Sequence, residues 1–156
     1  MLIFLDLDGV LVPEWRFDPP GPGDTLLAFD QECLAHFEGV LAHYRAAEVV
    51  ISSSWREVFT FGQVQPLFSP AIRPRVLGFT PLLPSSVIHG FQYLRHQEVL
   101  AYLRHHGQVE RPWVAVDDIP EHYPPEVSIV VTDAYTGFDH ADALLLSLFL
   151  SAGSND

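Results

Sequence analysis

The sequence predicts an α/β protein built on a doubly wound parallel sheet, with helices on both faces giving three layers. Three observations predict it. Short continuous apolar runs recur along the chain, the pattern of strands buried on both faces. Longer segments with apolar residues at helical spacing alternate with them, which implies right-handed crossovers between parallel strands. Several apolar runs end in Asp or Ser, and ligands bind beyond the carboxyl ends of strands in such sheets.

Each element follows in order. Leu2-Ile3-Phe4-Leu5, running into Asp6, is the first strand. A loop rich in proline and glycine comes next, with Pro13, Pro19, Pro20, Gly21, Pro22 and Gly23. Phe29, Cys33, Leu34, Phe37, Val40, Leu41 and Tyr44 then recur at helical spacing and predict a crossover helix over residues 29–46. Residues 48–53 read as the second strand, and Ser54-Trp55-Arg56-Glu57 as a helix start. Prolines break every pattern between Gly62 and Ser86, leaving room for a short helix near 65–68 and an extended piece at 76–79. Leu94, Val99, Leu100 and Leu103 mark a helix over 91–106 that stops at Gly107. Residues 113–116 form an apolar strand ending in Asp117-Asp118. Residues 127–131 repeat the pattern before Thr132-Asp133, and 139–150 make a closing apolar helix.

Bulk properties narrow the function. A chain of 156 residues, 48% of them hydrophobic, has the size and apolar content of one globular domain spanning residues 1–156. Residues 141–150, the longest apolar stretch near the end, contain Asp142 and Ser147 and fall short of the roughly 20 residues of a membrane crossing. The first residues lack the basic start and cleavage site of a secretory signal, so a cytoplasmic location is expected. Cys33, the only cysteine, permits no internal disulfide and reads as a buried helical thiol. A formal charge of −12 opposes non-specific nucleic-acid binding through a basic face. It does not oppose a phosphorylated substrate, because a bound divalent cation reverses the local field of a carboxylate-lined cleft.

The chemistry gathers at the strand ends. Asp6 and Asp8 are two residues apart, and Gly9 lets the chain turn away sharply. Carboxylates this close repel unless a hard cation, a proton or water compensates them. Asp117 or Asp118 from another strand end completes an oxygen cage suited to Mg²⁺. Of the eight histidines, His96, His105 and His106 lie along or at the end of one helix, where imidazolium suits the helix dipole rather than a metal.

Leu5-Asp6-Leu7-Asp8-Gly9-Val10-Leu11 resembles the first signature, DxDGxL, of the haloacid dehalogenase (HAD) superfamily of phosphohydrolases. Val49-Val50-Ile51-Ser52-Ser53 resembles the second signature, and Val114-Ala115-Val116-Asp117-Asp118 the fourth. Arg95 is the candidate for the third, a basic residue before the last acidic strand, with Arg56 as the rival cation. The resemblance covers nearly the whole chain and implies a Rossmann-like core. It also implies a reaction in which Asp6 attacks phosphorus to give an aspartyl phosphate. Asp8 then serves first as general acid and then as general base. Ser53, with Ser52 as its alternative, and Arg95 would hold the phosphoryl group. Mg²⁺ would be held by the Asp6 carboxylate, the Asp8 carbonyl, and Asp117 or Asp118.

An acid two residues after the nucleophile points to phosphate esters rather than to the dehalogenase or phosphonate-cleaving members. The twenty or so residues between Gly9 and the first helix are too few for a helical cap. In this superfamily a missing cap goes with a large substrate or with subunits that cover one another's sites. Ser53-Ser54-Trp55 is also similar to the phosphatase-like domains of bacterial RNA-repair proteins. Two other readings stand beside hydrolysis: a catalytically idle binding or regulatory module, and phosphoryl transfer to an acceptor other than water.

Overall fold

The computed structural model describes residues 1–19, 27–88 and 90–153. Its strands are β1 (Leu2–Leu5), β2 (Glu48–Ile51), β3 (Val76–Phe79), β4 (Trp113–Asp117) and β5 (Ile129–Val131). The helices are α1 (Gln31–His43), α2 (Phe61–Val64), α3 (Ser85–Ile88), α4 (Leu94–His105) and α5 (His140–Ala152). All strand pairs are parallel, in the order β3-β2-β1-β4-β5. The chain steps outward from β1 to β2 and β3, then returns past β1 to place β4 on its other side. That reversal makes the gap between the ends of β1 and β4 the topological switch point.

Alternation along β1 divides the core in two. Ile3 and Leu5 face one layer with Val49, Ile51, Val114 and Val116, covered by Phe37 and Leu41 of α1 and Leu146 and Leu150 of α5. Leu2 and Phe4 face the other, with Val50, Ala115 and the α4 residues Val99, Tyr102 and Leu103. A strand buried on both faces needs an unbroken apolar run, and β1 has one.

The predicted strands form, with β2 and β5 shorter than expected, and so do the three long helices, α1 and α4 shorter and α5 running on to Ala152; the helical pieces expected at 54–57 and near 65–68 are 3₁₀ turns, Ser54–Glu57 and Gln65–Leu67. α1 starts at Gln31, two residues after Phe29, because the Asp30 side chain caps it by accepting from the N–H groups of Glu32 and Cys33. It stops at His43, three residues before the expected end. Beyond it, Arg75 donates to the carbonyls of Leu41, Tyr44 and Ala47, so a side chain rather than another turn satisfies the helix end. α4 begins at Leu94, not at 91. α5 is started by a capping box between Asp139 and Asp142. Residues 20–26, inside the expected proline-rich loop, lie outside the described residues. The described part of that connection contains one 3₁₀ turn, Glu14–Phe17. No cap domain stands over the sheet among the described residues, and no helix there is long and apolar enough to cross a membrane.

Candidate active site

The carboxyl ends of β1, β2 and β4 meet around a cleft of about 390 Å³, lined among others by Asp6, Asp8, Ser54, Arg95, Asp118 and His122. Asp6 follows β1 directly. Its N–H donates to the Val116 carbonyl at 2.9 Å, which fastens the end of β1 to β4. Its Oδ1 accepts from Leu7 N–H at 2.8 Å, and the side chain is 7% exposed. Asp117 is the last residue of β4 and is fully buried. Asp117 Oδ1 accepts from Ile119 N–H at 2.9 Å, whereas Oδ2 has no hydrogen-bond partner among the described residues.

Oxygens of Asp6, Asp117 and Asp118 lie within 4.8 Å of one another. The electrostatic consequence is direct. Burial, followed by the Asp117 charge, pushes the Asp6 carboxyl well above the usual carboxylate range, against the opposing pull of Arg95 and Leu7 N–H. Burial and Asp117 likewise push Asp118 up to about 6. Asp118 also explains Gly9, which has φ +73°: a Cβ at that position would lie 2.5 Å from Asp118 Oδ2. The positive φ turns the chain out of the strand, and the missing side chain admits the carboxylate. Thr132, buried after β5, holds this turn by donating to the Gly9 carbonyl at 2.7 Å.

Asp8 stands apart from the three-carboxylate cluster. β1 ends at Leu5, and Asp6 and Asp8 both line the cleft beyond it, the first buried and the second exposed. The Asp8 side chain is exposed, and its Oδ1 accepts from the Trp55 indole N–H at 2.9 Å. Ser52 and Ser53 follow β2 and are both fully buried. Ser53 Oγ caps the Ser54–Glu57 turn by accepting from Trp55 N–H at 3.3 Å. Among the described residues Ser52 Oγ makes no hydrogen bond of ordinary geometry, although the buried Tyr123 hydroxyl is its neighbour. His122 Nδ1 lies 3.6 Å from Asp117 Oδ2.

The two rival arginines are separated by the fold. Arg95 lines the cleft: burial disfavours its charge, but Asp6, Glu98 and Asp117 outweigh burial and raise its pKa. Arg56 is turned away, donating to Thr80 Oγ1 at 2.6 Å and to Glu98 Oε1 at 2.5 Å. Glu98, 3% exposed, also accepts from Arg95 at 3.1 Å through Oε2. One buried carboxylate thus bridges the structural arginine and the cleft arginine. Sequence reasoning passed over Glu98. The signal for Glu98 was its place three residues after Arg95 on one helix face.

A family model described as the HAD domain in Swiss Army Knife RNA repair proteins matches residues 2–143. No curated protein and no solved structure matches the chain.

Proposed function

This chain belongs to the family of HAD domains in Swiss Army Knife RNA repair proteins, and from that premise we propose that it is a Mg²⁺-dependent phosphomonoester hydrolase. The observation that carries the reading is the convergence of Asp6, Asp117 and Asp118 within 4.8 Å in a cleft that also holds Arg95.

The donor set fits a hard divalent cation. Three carboxylates this close, one with a buried oxygen that has no partner, are costly without a positive charge among them. Mg²⁺ takes oxygen ligands and keeps several positions for water and phosphate. Asp6 and Asp117 would hold it, with the Asp8 carbonyl and with Asp118 at the cleft side. Bound there, Mg²⁺ supplies charge neutralisation for the phosphoryl oxygens.

Asp6 is the nucleophile in this reading. Its Oδ1 is engaged by Leu7 N–H, which leaves Oδ2 to attack phosphorus. Arg95, fixed by Glu98, neutralises charge growing on the transferring group. Ser53 and its neighbour Ser52, fully buried at the end of β2, are the hydroxyls proposed to orient that group, although the serine that lines the cleft is Ser54; Asp8 at the cleft rim protonates the leaving oxygen. Water then hydrolyses the aspartyl phosphate with Asp8 as base. The open cleft and the RNA-repair setting of the family favour a phosphorylated end of a large molecule, such as RNA, over a small metabolite.

Phosphate release with Mg²⁺ is the test, scanned over aryl phosphate, sugar phosphates and RNA carrying a 5′- or 3′-phosphate. Asp6→Asn is expected to lower release by about three orders of magnitude or more, the scale of losing a covalent nucleophile. Release that survives Asp6→Asn would overturn the mechanism, and a phosphorylated acceptor in place of free phosphate would mark the protein as a transferase. No release from any ester would leave a binding module.

A further inference from the structure

Trp55 is 6% exposed, and its ring packs against Phe29 and Phe59 with centroids 6.0 and 5.2 Å away. A buried indole still needs a partner for its N–H. Here the partner is not a backbone carbonyl from the surrounding core. It is Asp8 Oδ1, 2.9 Å away, on a side chain that is otherwise exposed at the cleft rim. Among the described residues Asp8 makes no other side-chain hydrogen bond. A surface carboxylate that would sample several rotamers in water is therefore pinned through one oxygen by a donor on a ring the core holds still. The same residue is tied to β2, since Trp55 N–H donates to Ser53 Oγ at 3.3 Å. The loops after β1 and β2 are linked through this one side chain.

We propose that Trp55 is a positioning residue for proton transfer: it holds Asp8 Oδ1 so that Oδ2 alone exchanges the proton with the substrate. The inference rests on the phosphohydrolase reading above. In the first half-reaction Oδ2–H gives its proton to the ester oxygen as the bond from phosphorus to that oxygen breaks and the Asp6 oxygen–phosphorus bond forms. In the second, Oδ2 takes a proton from water as the water oxygen–phosphorus bond forms and the Asp6 bond breaks. Both steps use the same oxygen from the same place, so a fixed carboxyl serves both without reorienting.

Trp55→Phe tests this, because phenylalanine keeps a ring against Phe29 and Phe59 and removes only the donor. An aryl leaving group departs as a stable anion and needs little help from an acid, whereas an alkyl leaving group needs the proton. The value of kcat/KM reports the phosphorylation step alone. It is expected to fall about tenfold for an alkyl phosphate, a modest share of what a positioned acid contributes, and to stay within about twofold for an aryl phosphate. Equal losses on both esters, or no loss or a gain on the alkyl ester, would overturn the proposal. A second readout does not depend on activity: the Trp55 indole N–H resonance of the full chain is expected to shift on Asp8→Ala, and an unmoved resonance would also overturn it. If the wild-type protein hydrolyses neither ester, the phosphohydrolase reading falls and takes this role with it. If activity is present and requires Asp6 but the leaving-group dependence is absent, the positioning role alone falls.

Discussion

Gly9 shows how tightly single residues are constrained at this site. Its φ of +73° and the approach of Asp118 each exclude a side chain. Gly9→Ala is expected to cost about 1–2 kcal/mol from the left-handed backbone alone, and more where Asp118 must move. Chemical denaturation would measure the loss, and calorimetry should show weakened Mg²⁺ binding; unchanged values for both would contradict the account. The need for a sharp turn at Gly9 was legible from the sequence, as were Asp6 and Asp117, because each ends an apolar run. The choice between Arg95 and Arg56 was not. Both lie near strand ends in the sequence, and only packing shows that Arg56, with a side chain 5% exposed, is spent on Glu98 and Thr80. Glu98 was hidden for a similar reason. A glutamate on an amphipathic helix reads as solvent-facing until its partners are known.

At the scale of elements, α4 does more than cover the sheet. Its first turns carry Arg95 into the cleft and Glu98 into the core, while Val99, Tyr102 and Leu103 hold the helix on Leu2, Phe4 and Ala115. Glu98→Ala would leave two guanidinium groups largely buried without their shared anion. The expected loss is about 3–5 kcal/mol, the usual consequence of removing one partner from a buried ion pair. A denaturation midpoint close to wild type would contradict the buried network. The long helices were legible from their periodicity; Asp30 also caps α1 and Asp139 with Asp142 caps α5, whereas α4 has no side-chain cap. α2 and α3 were not, since four residues span little more than one turn and leave no period to detect. The central strands β1, β2 and β4 survived this limit because near-continuous burial marks even four residues when both faces are covered.

For the whole molecule, the order β3-β2-β1-β4-β5 places the switch point between β1 and β4, where Asp6, Asp117 and Asp118 converge. Alternating strands and helices made the layers legible, but strand order follows from tertiary packing and was not written locally. Concentrating acid there makes stability depend on pH and metal. The Asp118 pKa is raised from 3.8 to about 6, and that of Asp6 is raised in the same direction. The native state therefore binds more protons than the unfolded chain, so metal-free stability falls as pH rises from about 4 through 6. Mg²⁺ opposes this loss, and at a hundredfold excess over its Kd would contribute about 2.7 kcal/mol. Melting curves should show a larger Mg²⁺ increment at pH 7 than at pH 5, where protons compete for the same oxygens; an increment independent of pH would contradict the shared site. The account turns on Asp6 as the atom that receives phosphorus. Beryllium fluoride, which mimics a phosphoryl group on an aspartate, tests that directly when added with Mg²⁺ to crystals or to an NMR sample. The account predicts an adduct on the Asp6 carboxylate, close to Arg95 and absent in Asp6→Asn. A wild-type protein that binds Mg²⁺ but forms no adduct, or forms it on another residue, would contradict it.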